Sequence, residues 1–434
     1  MSEGSKDAQV RPLEGLRIVE VSSFVAAPLG GMTLAQLGAD VIRIDPVGGG
    51  ADINRWPIAN DSISLFWVGL NKSKRSMTVD LRSERGRDLV IDLICDPNHG
   101  SGILLTNAAM GWLSYEALSA RRPDLIHVQI DGKRDGSPAV DYTINPSTGF
   151  PMVTGPVGWG GPVNHVLPAW DLACGLYAST ALLSAELRRR STGAGSQIRV
   201  PLEDVALAGA GNLGFLAEVQ VNGVERPRIG NHLYGSLARD FTTRDGRRVM
   251  IVALTNRHWR DLQAVTGLTG AISALETELE IQLSHESARY RYREVITALL
   301  EPWFAERDFG EVAHVLSGSS VLWSGYRTFR QVLDDNIANP AGSLLQEIDQ
   351  PGVGPHLAPA SPISFGPRGT VAQVERAPSL GEHSASILRD DLGLPADEIK
   401  ALLGAGVIAV PVPLPVAEAD SPFDLSGQRE EISG

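Results

Sequence analysis

Between residues 15 and 131, short apolar runs alternate with longer segments of helical period. "GLRIVEVSS" predicts a strand rich in Val and Ile, "AAPLGGMTLAQLGA" a helix and "DVIRID" a second strand. A strand at "RSMTVDL", a helix at "SERGRDLVIDLICD" and strands at "GILLTN" and "DLIHVQIDG" continue the alternation. Strands alternating with helices imply an α/β fold, a parallel sheet with helices on its faces. Such a sheet binds ligands beyond the carboxyl ends of its strands. The turn after the first strand reads "SSFVAAPLGG". It is neither G-x-G-x-x-G nor G-x-x-x-x-G-K-[ST], which argues against NAD and against a P-loop nucleotide.

Further along, Leu172, Leu176, Leu183 and Leu187 recur at helical spacing and predict one buried face of a long helix. "STGAG" ends it and the strand "QIRVPL" follows. From about residue 223 the texture changes. "RDFTTRDGRRVMIVAL" reads as a hairpin turning at "RDG", and "ARYRYREVITALLEPWFAE" as helix. "LGEHSASILRDDLGLPADEIKALLGAGVIA" reads as a helix pair. The expected organisation is a mobile N-terminus (1–12), a large domain (13–222), a smaller α+β domain (223–330), a return to the large domain (331–410) and a proline-rich, acidic, disordered tail (411–434).

Composition narrows the function. The 434 residues are 43% hydrophobic and 21% charged, an ordinary globular balance. A net charge of −13 removes the overall basic footprint of a nucleic-acid binder. The run "LRRR" at 187–190 suits a solvated helix end, where cations meet the negative pole of the dipole. Cys95 and Cys174 read as buried free thiols in a reducing cytoplasm, and no Cys/His spacing suggests zinc. No apolar run is long enough for a membrane span, and "MSEGSKDAQV" lacks the apolar core of a signal peptide.

In "LPAWDLACGLYA", Asp171 stands where the long helix should begin. An Asp there is a common N-cap. It is also a carboxylate that a helix start would orient and keep ionised. Sequence position alone leaves both readings open. Glu203 and Asp204 in "PLEDV" read as structural, and "GWGGP" at 158–162 as a loop.

Several segments carry a resemblance. "PLEGLRIVEVSSFVAAPLGGMTLAQLGADVIRID", "LNKSKRSMTVDL", "AWDLACGLYASTALLSAELRRRSTGAGSQIRVPLEDV" and "LGEHSASILRDDLGLPADEIKALLGAGVI" resemble, in order, segments of the class III CoA-transferases, the family of formyl-CoA transferase and α-methylacyl-CoA racemase. The similarity runs from about 12 to 410. It implies a Rossmann-like large domain with a smaller α+β domain, an interlocked homodimer, and an acyl-CoA thioester of a small dicarboxylate as substrate. No metal or separate cofactor is implied. Asp171 matches the family's nucleophile, a role open to a carboxylate that attacks a thioester.

By the same resemblance, Phe24, Val25 and Ala26 line the adenine side of CoA through their backbone. Lys74 and Arg75 are candidates for a phosphate or the adenine pocket, and Asn107 lies near the pantetheine. The family often follows that asparagine with Phe-Arg-Pro. Here Ala108, Ala109 and Met110 follow, so Arg134 in "DGKRDG" is a candidate replacement. "GNHLYGS" departs from the family's glycine run, which makes His232 a candidate substrate contact, with His165 another. In the racemase branch a histidine supplies a base where this chain has Val140, which argues against proton transfer at an α-carbon.

"DYTINPSTGFPMVTGPV", "VNHVLPAWD" and "RPRIGNHLYGSLARDF" resemble a branch that moves CoA between the two carboxyl groups of one unsaturated C5 diacid. That branch implies a place in glyoxylate assimilation through the 3-hydroxypropionate cycle. Transfer between two separate acids, or CoA binding without catalysis, are the rival readings.

Overall fold

The computed structural model describes residues 10–60, 62–365 and 371–411. The expected tail and most of the expected mobile N-terminus lie outside them. The chain divides into two compact units, one of 1–129, 175–198 and 346–434, the other of 130–174 and 199–345. The second unit is thus larger than the expected 223–330. Residues 130–174 join it through side-chain contacts that no local period reveals. Phe150 packs on both Trp170 and Phe215, with ring centroids 5.4 and 4.9 Å apart.

The first unit is organised on a seven-stranded sheet. Its strands are β1 (Arg17–Val21), β2 (Asp40–Pro46), β3 (Arg75–Val79), β4 (Ile103–Thr106), β5 (Ile126–Asp131), β6 (Ser196–Pro201) and a short C-terminal strand, Ile408–Ala409. Their order is C-terminal strand–β3–β2–β1–β4–β5–β6. β1 lies parallel to both β2 and β4, with Val19 opposite Ile42 and Leu104. β2–β3 and β4–β5 are also parallel, and the C-terminal strand is antiparallel to β3. The strands read as nearly continuous Val/Ile/Leu runs because helices cover both faces. Ile42, Met77, Leu89, Leu93, Leu104 and Ile387 lie in one core cluster of this unit.

Charges are built into this sheet. Glu20 and Arg43 are fully buried. Arg43 forks onto Asp45 and Asp52 and donates to Asn71. Lys74 donates to Glu20, to Asn71 and to the Pro28 carbonyl, at 2.9, 2.9 and 2.8 Å. Helix α1 (Ala26–Gln36) passes so close that a Cβ on Gly31 would sit 1.7 Å from Glu20 Oε2. Only glycine leaves room for that carboxylate.

The long helix exists as expected, as Ala169–Thr192. Its buried face does not match the expectation. Cys174, Ala178, Leu182 and Ala185 point inward, while Leu176 and Leu187 are 51% and 68% exposed. The inward face uses small residues because another backbone comes close. A Cβ on Gly175 would lie 2.5 Å from the Ala26 carbonyl. The "LRRR" run is also only partly solvated. Arg189 is buried, pairs with Glu186 and donates to the Ser101 and Gly102 carbonyls.

In the second unit, β7 (Leu237–Thr242), β8 (Arg248–Ala253) and β9 (Leu322–Gly325) form an antiparallel sheet in the order β9–β8–β7. The predicted "RDG" turn joins the first two, with Gly246 at φ +76°, a conformation that favours glycine. Phe241 and Phe304 stack at 4.3 Å in its core beside Ile251, Leu262 and Ile296.

Candidate active site

In the first unit, the strand order reverses between β1 and β4. Crevices beyond the carboxyl ends of strands at such a reversal are where open α/β sheets bind ligands. Phe24, Val25, Ala26 and Asn107 fall at this point. Asn107 clamps the loop after β1, its Oδ1 accepting from Ser23 N–H and its Nδ2 donating to the Ser23 carbonyl. Phe24 has φ +65°, a genuine outlier for a bulky residue. Its N–H donates to Asp52 at 2.9 Å, so the Arg43 network holds the strained turn in place. Its ring stays partly exposed, and the Arg55 guanidinium lies 5.6 Å from it and 4.9 Å from Phe66. Strain of this kind clusters at functional sites. Arg55 had no sequence signal, because its contacts are with rings distant in the chain.

Lys74 and Arg75 are placed elsewhere. The Lys74 side chain is fully buried and its ammonium hydrogens are directed at three protein oxygens, a structural role that leaves none for a phosphate. Arg75 opens β3 at the opposite, amino-terminal end of the sheet. It bridges Asp40 and Asp391, and Arg17 bonds to the same two carboxylates. Burial works against the charge on Asp40, but Arg75 and Arg17 outweigh it and hold the carboxyl below its usual range. Sequence could not show this, since the partners of Lys74 and Arg75 lie on other elements.

In the second unit, Asp171 is not the N-cap. It is the third residue of Ala169–Thr192. The capping is done by Asp141, whose Oδ2 accepts from Trp170 N–H at 2.8 Å and Asp171 N–H at 3.2 Å. Asp141 is 1% exposed, and its Oδ1 is buried without a hydrogen-bond partner. Asp171 is half-buried, in the first turn, where the dipole favours a carboxylate. The Cys174 thiol is pushed up to about 12, by burial first and then by the charges of Asp171 and Asp131. It is therefore an inert neighbour, not a nucleophile.

His165 accompanies this helix start. Its ring meets Trp170 edge-on at 6.4 Å, its Nδ1 bonds to the Leu167 carbonyl, and its Nε2 is buried without a partner. Trp170 Nε1 donates to Asn145. Val140, 53% exposed, precedes Asp141 and offers no base. Arg134 is largely exposed and pairs with Asp204 at 2.7 Å. His232 is buried, with its imidazole 3.4 Å from Glu294. The Trp159 and Gly161 carbonyls of the "GWGGP" loop both accept from Arg228. Asp141 was passed over in the sequence because its hydrogen bonds to the helix start span 29 and 30 residues. Its place in the "VDYTINPSTG" segment was the only available signal.

The chain belongs to CoA-transferase family III, whose family model matches residues 13–384. It is 49% identical over 404 residues to the 2-methylfumaryl-CoA isomerase of Chloroflexus aurantiacus, covering 92% of this chain and 98% of that protein. The mouse succinyl-CoA:glutarate CoA-transferase is 28% identical over 92% of this chain and 91% of its own length. Among solved structures, a CaiB/BaiF family protein from Brucella suis superposes with a TM-score of 0.70 at 28% identity, covering 88% of this chain and all of that one. Among the described residues no helix is long and apolar enough to cross a membrane.

Proposed function

We propose that the protein moves CoA between the two carboxyl groups of one small unsaturated diacid, 2-methylfumarate, with Asp171 as the nucleophile. The placement of Asp171 carries this reading: a carboxylate in the first turn of a 24-residue helix whose terminal N–H groups are already satisfied by a second acid, Asp141. Capping is thus done by another residue, Asp141. The 49% identity to an isomerase of that substrate supports the choice of acid.

The reaction balances without ATP or redox change. An Asp171 oxygen attacks the thioester carbonyl, the C–S bond breaks, and CoA leaves as thiolate, forming a mixed anhydride between Asp171 and the diacid. The thiolate attacks the aspartyl carbonyl, the C–O bond breaks, and the diacid is freed beside an aspartyl-CoA thioester. The other carboxylate of the diacid attacks that thioester and releases the thiolate again. Attack of the thiolate on the acyl carbon of the new anhydride gives the isomeric thioester and restores Asp171. This is covalent catalysis by a carboxylate, aided by a helix start that favours its ionised form. The exposed Leu176 and Leu187 support a homodimer that covers them.

Incubating the C1 thioester with pure enzyme and no added acid tests the reading. Chromatography with mass spectrometry should show the C4 thioester. Isomer formed only when a second acid is added would replace this reading with transfer between two acids, the activity named for the mouse relative.

A further inference from the structure

Buried polar groups in folded proteins are normally hydrogen-bonded. One cluster in the second unit departs from that rule. The His232 side chain is 2% exposed, yet neither ring nitrogen makes a hydrogen bond of normal geometry. The nearest carboxylate, Glu294, is 3.4 Å away and 70% exposed, and the Ala238 carbonyl is near enough only to favour a proton on the ring. Ser236 Oγ, Arg239 Nε and Arg293 Nε are likewise buried atoms without a hydrogen bond among the described residues.

The charges do not balance either. Asp240 lies 3.8 Å from Arg239 but is already engaged by Arg248 and Asn231. Arg293 Nε lies 3.4 Å from the same solvated glutamate. Burial, and then the charge of Arg239, keep the imidazole neutral. The arginine side chains remain 31% and 23% exposed, so solutes can reach them.

This arrangement is rigidly connected to the helix start. Phe150 packs on Trp170, Phe215 on Phe150, and Arg226 lies over both Phe215 and Tyr234. Tyr290 packs on Tyr234, and Arg293 lies over Tyr290. Neutral donors beside guanidinium groups whose nearest carboxylates lie only at 3.4 and 3.8 Å match an oxyanion, and a planar carboxylate above all.

We propose that His232, Ser236, Arg239 and Arg293 form a carboxylate-binding site that takes the carboxylate of the diacid not held as thioester. The proposal rests on the function proposed above. Between the two halves of that reaction the acid is a free dianion, and a fixed receptor retains it.

Binding is measured by calorimetry on enzyme carrying Asp171→Ala, which removes turnover. 2-Methylfumaryl-CoA is compared with crotonyl-CoA, which lacks the second carboxylate, and succinyl-CoA with butyryl-CoA. The diacid thioester should bind roughly tenfold tighter than its monoacid counterpart, the size expected of one charge-assisted contact. Adding Arg239→Gln or Arg293→Gln should bring that ratio toward one and leave monoacid affinity within about twofold, since only the carboxylate contact is lost. Arg239→Lys should keep part of the preference, and circular dichroism should show every variant folded. An unchanged ratio overturns the proposal. Equal weakening for CoA, crotonyl-CoA and 2-methylfumaryl-CoA overturns it in favour of a CoA phosphate. A preference for succinyl-CoA that the variants abolish, with none for 2-methylfumaryl-CoA, keeps the site and rejects the proposed acid.

Discussion

The two units treat buried charge in opposite ways. In the first, Glu20, Arg43, Asp45, Asp52 and Lys74 form a network with nearly every donor directed at an acceptor, Glu20 Oε2 alone of its carboxylate oxygens being buried without a hydrogen bond. In the second, Asp141 Oδ1, His165 Nε2 and both His232 nitrogens are buried without hydrogen bonds. A satisfied network fixes a backbone, here the strained turn at Phe24. Unsatisfied groups retain capacity for something outside the chain. Burial of charge by itself therefore does not mark a site.

The sharpest way to break this contrast is Asp171→Ala. Turnover should fall to background while circular dichroism and melting stay near those of the parent; substantial remaining activity would remove the nucleophile from the second unit. Next in size, Arg43→Leu should cost about 3–5 kcal/mol in denaturant unfolding, because it strands buried carboxylates. A loss below ~1 kcal/mol would show that the network is not satisfied in the sense argued.

Asp141→Ala should cost about 1 kcal/mol, the usual worth of a helix cap. It should also lower kcat more than it raises KM, by loosening the turn that bears Asp171. A stability loss with unchanged kinetics would reduce Asp141 to a cap alone.

A further test concerns Lys72. Its ammonium is buried with the Gly69 carbonyl as its hydrogen-bond partner, and burial lowers its pKa from 10.5 to about 8. The unfolded chain keeps that proton up to about 10.5, the folded chain only to about 8. Wherever the unfolded state binds more protons, stability rises with pH. Lys72 should thus contribute a rise in stability between about pH 8 and 10.5, and Lys72→Met should diminish it. Equal slopes for parent and variant would place the ammonium in water.

The sheet was legible because β1 to β5 are apolar runs with helical segments between most of them, and the pattern needs no knowledge of partners. The family was legible from segments in order. The face of the long helix was not. Leu176 and Leu187 have helical spacing, but so do Cys174, Ala178, Leu182 and Ala185, and size misled where close backbone approach demanded small residues. Lys74 and Arg75 looked available because a basic run shows its charge and hides its partners. Asp141 and Arg55 had meaning only through contacts far along the chain.

The glycine at position 31 bears on how this sequence can drift. Any replacement places a carbon 1.7 Å from Glu20 Oε2, so Glu20 would have to be shortened first. That step alone removes the carboxylate paired with Lys74 and one of the charges within ion-pair reach of Arg43. Single-step routes away from Gly31 therefore pass through a less stable intermediate, and the four residues should be inherited together, as one heritable character distributed over three segments of the gene.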